Sequence, residues 1–300
     1  MRPSLSFALL AACGSSSANS VPAKSPAAPQ TAIERALALL PDGAQLVVEV
    51  DLARLRSNAV VGPVATRALA KLGDESKLPG LPVKVQGSPL ADADAIVLAA
   101  YGVGTTDAAA VTVLATKADI DGATRLAPDL IAIGPTEWVS QLEARAQIAS
   151  KSPLVVPKDL LDLRAHAVPP GATGAVLRVT ARLSFDARVA LARQTGLEAA
   201  PARLSIWGDV ADDLAIVIDA DAADPGDQGA KDSARRLGHE IRGALAALAE
   251  EPVVKAVGVP NSLADARMIA KGTWLRTIIA IGPRHLARAV ERANELLGAT

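Results

Sequence analysis

An α+β fold of two tandem, related modules, each an antiparallel sheet with helices packed on one face, is predicted by three features of the sequence. The pentapeptide Ile131-Ala132-Ile133-Gly134-Pro135 recurs as Ile279-Ala280-Ile281-Gly282-Pro283. Around each copy the same succession of strand-like and helix-like patterns repeats. The 300 residues, 50% hydrophobic and 21% charged, carry enough apolar material for one large core or two modest ones.

The elements follow in order. Each half opens on an apolar strand pattern, at about 45 to 51 and at 174 to 182, preceded by the related turns Pro41-Asp42-Gly43-Ala44 and Pro169-Pro170-Gly171-Ala172. A helix comes next, near 63 to 73 (Pro63, Val64, Leu69, Leu72) and near 186 to 196 (Val189, Leu191, Ala192). Two strands joined by a tight polar connection follow: Ala95 to Tyr101 with Val111 to Ala115, and Leu204 to Asp209 with Leu214 to Asp219. Thr105-Thr106-Asp107 and Asp212-Asp213 supply the turn chemistry, because Asp tolerates turn conformations and bonds its own backbone. The second half then carries an amphipathic helix from about Asp232 to Glu250, with Leu237, Ile241, Ala244, Leu245 and Leu248 on one stripe. At that place the first half has a few residues around Asp121 to Leu126. A closing strand ends in each pentapeptide, with Lys271-Gly272 able to split 266 to 281 into two strands. A final helix carries Trp138, Leu142 and Ala146 in one half and Leu286, Val290 and Leu297 in the other. This order resembles the split β-α-β arrangement of ferredoxin-like domains, which implies a right-handed first crossover. Whether the two sheets join is left open by the sequence.

The N-terminus addresses the compartment. Cys13, the single cysteine, follows Arg2 and the short apolar run Leu5 to Ala12, too short to span a bilayer. Leu10-Ala11-Ala12-Cys13 resembles the lipobox of a bacterial lipoprotein precursor. That resemblance implies cleavage after Ala12, lipidation of Cys13 including an N-acyl chain such as palmitate, and a stable membrane anchor. Gly14 stands where the retention rule of enteric bacteria looks for Asp, which points to the outer membrane, facing the periplasm or the surface. The alternative is a cytosolic chain with an Ala-rich start and an inert Cys13. The expected organisation is a signal peptide at 1–12, a disordered tether at 13–30 and two modules at 31–151 and 152–300. The tether is rich in Ser, Ala and Pro and lacks the apolar side chains needed to offset ordering entropy.

Composition narrows the chemistry. A formal charge of −1 and 2% aromatic residues give no general attraction to nucleic acid and few stacking platforms. His166, His239 and His285 lie far apart, and His239-Glu240 lacks the second histidine of a zinc-protease helix because Gly243 stands there. The acidic run Asp219 to Asp227 does not match a helix-loop-helix calcium pattern, with Ala230 at its twelfth position, and reads as a solvated loop before a helix. Ser184 and Ser205 lie in strand patterns without a nucleophile elbow. Gly102-Val103-Gly104 and Lys271-Gly272-Thr273 do not make a phosphate cradle. No metal, cofactor or catalytic residue is expected. The period-two rule puts Trp207 on the strand face opposite Leu204, and the repeat gives Tyr101 the matching place, so the two form a candidate contact face between the halves or with a protein partner. The expected function is that of a non-catalytic envelope lipoprotein in binding or scaffolding. A small-ligand binding module and a hydrolase with its site in the cleft between the modules are the competing classes.

Overall fold

In the computed structural model, residues 30–74, 89–195, 200–222 and 230–298 are described, and Cys13, Asp224 and Asp227 lie outside them. The first module runs α1 (Ala32–Leu39), β1 (Leu46–Asp51), α2 (Leu52–Ser57), α3 (Gly62–Asp74), α4 (Pro89–Asp92), β2 (Ala95–Tyr101), β3 (Ala109–Ala115), β4 (Thr124–Ala127), β5 (Leu130–Ile133) and α5 (Thr136–Ala149). After α6 (Lys158–His166), the second runs β6 (Leu177–Arg182), α7 (Phe185–Thr195), β7 (Arg203–Val210), β8 (Leu214–Asp221), α8 (Ala230–Glu250), α9 (Pro252–Val257), α10 (Pro260–Ala264), β9 (Arg267–Lys271), β10 (Trp274–Ile281) and α11 (Pro283–Gly298).

All strands join one antiparallel sheet in the order β4-β5-β3-β2-β1-β6-β7-β8-β10-β9. The duplication is visible in that order: each module contributes its first strand to the centre and its hairpin, β4-β5 or β9-β10, to an edge. The seam is an antiparallel pairing of the two first strands, Val47 opposite Thr180 and Glu49 opposite Arg178. Both modules are α+β with fully antiparallel strands, as the ferredoxin-like element order requires. The expected first crossover does not form, because β1 lies directly beside β2, and β6 beside β7, in antiparallel register. The intervening helix therefore returns the chain next to its starting strand instead of skipping a place. The stretch around Asp121 to Leu126 leads into β4, whose register against β5 slips between Arg125 and Ala127. The two pentapeptides occupy matching places, each closing its module's last strand and leading into α5 or α11.

Side chains alternate between the two sheet faces. On the first face, α1 and α5 bury Val47, Val97, Val113 and Ala132, while α6 and the loop after it cover Trp207 and Val217. On the second face, α3 and α4 cover Ile96, Leu114 and Ile131, and α8 and α10 cover Ile216, Ile218 and Ile279. Helix α11 closes over Val210 and Ile281 together with Leu55 and Val61 from the first module. Helix α11 also packs on α3, where Lys71 Nζ donates to Leu297 O at 2.6 Å and Arg67 donates to Asn294. The described residues from Thr31 onward thus form one compact unit. Among the described residues no helix is long and apolar enough to cross a membrane.

Candidate functional site

Helix α6 lies on the first face at the seam and is held there by charge. Its Arg164 reaches Glu49 of β1, with Nε donating to Oε1 at 2.8 Å and Nη2 to Oε2 at 2.8 Å. Glu49 is 2% exposed, and a carboxylate buried this deeply is tolerable only with such pairing. Burial opposes the charge on Arg164 and the Glu49 contacts favour it, with a net rise in its pKa. Two residues on, His166 turns to the second module: Nδ1 lies 2.8 Å from Asp219 Oδ2, and its ring stacks on Trp274 at 3.7 Å between centroids. Asp219 also accepts from Arg276 Nε at 2.8 Å and Nη2 at 2.6 Å. Asp159, near the start of α6, pairs with Arg182.

A cleft of about 510 Å³ opens beside this clamp. Its floor is Glu49 and Asp51 of β1 with Arg178 of β6, its walls come from the start of α1 and from α2, and Thr173-Gly174-Ala175 closes one side. Both modules therefore build it. Arg54 binds across the junction, Nε donating to Asp209 Oδ1 at 2.8 Å and Nη2 to Oδ2 at 2.6 Å, and these contacts raise its pKa. Asn58 adds a second tie by donating to Val210 O and Ala211 O. Arg178 stands opposite Glu49 in the sheet, yet Glu49 gives both its oxygens to Arg164. Burial, then repulsion from Arg164, lower the Arg178 pKa against the attraction of Glu49 and Asp209. A smaller cavity of about 220 Å³ lies at the other end of the seam, lined by Leu37, Leu40, Leu160 and the buried Thr180.

The residues singled out from the sequence have these places. Tyr101 and Trp207 do share the first face, but the open surface expected there is closed over both rings. Tyr101, 3% exposed, stacks on Trp138 at 3.9 Å and donates to Pro41 O at 3.1 Å. Trp207, 6% exposed, donates from Nε1 to Gly174 O at 2.8 Å. The reason is that α1, α5 and the segment after α6 lie on this face, whereas the expected layering left it bare. Asp219 and Asp221 belong to β8 and are buried partners of arginines, Asp221 accepting from Arg203 Nε at 2.8 Å, so they are not solvated loop acids. His239 and His285 are exposed on helices. Ser205 is fully buried and accepts from Ala167 N. Among the described residues no three of His, Cys, Asp and Glu gather as metal ligands would.

Glu49, Arg164 and Arg178 were not reached by motif reasoning. The available signal was the parity of Leu-Val-Val-Glu-Val-Asp, which places Glu49 on the same face as the core residue Val47. No family model and no curated protein matches the chain. Among solved structures, crystal form III of TP0453 is similar to it at 8% identity and a TM-score of 0.44, covering 85% of this chain and 96% of that one. Crystal form I of TP0453 is similar at 8% identity and a TM-score of 0.42, with coverage of 88% and 99%.

Proposed function

We propose that this chain is a non-catalytic binding protein of the bacterial envelope, anchored through lipid on Cys13, which holds a small ligand in the cleft at the module junction. The observation that carries the binding role is the cleft itself: about 510 Å³, within the range of small-molecule sites, with charged groups and short apolar side chains contributed by both modules. The anchor rests on Leu10-Ala11-Ala12-Cys13. A hydrolase reading has one specific observation in its favour, the His166–Asp219 contact. Against it, Asp219 is shared with Arg276, and Ser205, its cross-strand neighbour, is wholly buried.

The two parts are tested separately. Wild type should partition with membranes and Cys13→Ala should not; equal partitioning removes the anchor. In an NMR titration of a fragment library against the intact domain, hits should perturb the amides of Ala53, Thr173 and Ala175. Hits that map only to other surfaces remove the cleft from the function.

A further inference from the structure

We infer that the junction cleft takes a small-molecule monocarboxylate, whose anionic group pairs with the guanidinium of Arg178. The inference rests on the binding role proposed for this cleft and names the chemistry of its ligand. Each other charged group lining the cleft already has a partner. Glu49 serves Arg164, and Arg54 serves Asp209. Asp51 accepts from the Arg54 backbone N–H at 2.8 Å, Asp94 pairs with Arg56, and Glu34 accepts from the Thr31 backbone N–H. Arg178 alone, among the described residues lining the cleft, has a charge with no hydrogen bond or ion pair.

Arg178 therefore stands half-buried beside a carboxylate whose two oxygens are both taken by Arg164, and its own guanidinium is left without a hydrogen-bond acceptor. Leaving such a charge unpaired is costly, and one anion removes that cost. A monoanion fits better than a dianion, because Glu34, Asp51 and Asp94 around the site oppose every negative charge a ligand brings and Arg178 supplies one cation to offset it. The planar guanidinium fork matches a carboxylate by two parallel hydrogen bonds. Ile33, Ala53, Ala95 and Ala175 give the organic part of the ligand apolar wall to lie against.

The test follows the arginine Nε–Hε resonances of the protein during titration with sodium phenylacetate, methyl phenylacetate and inorganic phosphate. Phenylacetate should shift the Arg178 resonance saturably and the ester should not. Phosphate should bind more weakly than phenylacetate. Arg178→Gln, with its amide spectrum otherwise native, should weaken phenylacetate binding about tenfold or more, and Arg178→Lys should retain part of it. Equal phenylacetate binding by wild type and Arg178→Gln overturns the inference. So does phosphate saturating the Arg178 resonance at lower concentration than phenylacetate. If ester and acid alike perturb Thr173 and Ala175 in both proteins, the cleft still binds and the carboxylate assignment fails. If no probe perturbs these groups, both fail.

Discussion

Tyr101 shows how one side chain couples packing to charge. It is the single tyrosine of the sequence, stacked on Trp138, with its hydroxyl bonded to Pro41 O. Burial pushes its phenol above the ordinary value of 10; Arg145 opposes the shift and Asp42 adds to it. A phenol whose folded pKa is raised stabilises the fold fully below its unfolded pKa, and that contribution is lost as pH climbs toward the folded value. Stability to urea should therefore fall as pH rises above about 10. Tyr101→Phe should flatten that fall while costing about 1 kcal/mol at neutral pH through the lost hydrogen bond. Tyrosinate absorbance reads the titration directly; a phenol that ionises near 10 in the folded protein would contradict the assignment.

At the scale of elements, the turn between β2 and β3 is docked onto α7 of the other module. Gly104 has φ +83°, and a Cβ there would lie 2.8 Å from Ala187 Cα and 2.9 Å from Asp186 O. Gly104→Ala meets both a left-handed backbone and a backbone collision, so it should destabilise by roughly 1–3 kcal/mol in urea unfolding. An unchanged midpoint would mean the turn stands off α7. The elements themselves were largely legible, because period and punctuation are local: Ala95 to Tyr101, the split at Lys271-Gly272 and the helices after Gly-Pro all stand where the pattern puts them. Strand β4 was not legible, since Thr124-Arg125-Leu126-Ala127 is short and held by an irregular register to β5. The candidate site was legible as parity but not as partnership. Arg164 and Glu49 are 115 positions apart, and α6, which joins them, has a weak apolar stripe.

Taken whole, the molecule has two modules and one sheet. The β1-β6 seam, the α3-α11 contact and the Arg54–Asp209 pair all cross between the halves. Unfolding should therefore be a single cooperative transition. Trp138 reports the first module, and Trp207 with Trp274 the second. Fluorescence of Trp138 alone, in a Trp207→Phe/Trp274→Phe chain, should give the same urea midpoint as that chain's far-ultraviolet circular dichroism. Two separated midpoints would show that the halves melt independently.

The seam has a further effect on how long the cleft exists. A binding site assembled from loose subunits vanishes when its owner becomes scarce, because the halves dissociate on dilution. Here both walls belong to a single polypeptide, so the cleft persists for as long as the chain stays folded, and dilution alone does not take it apart.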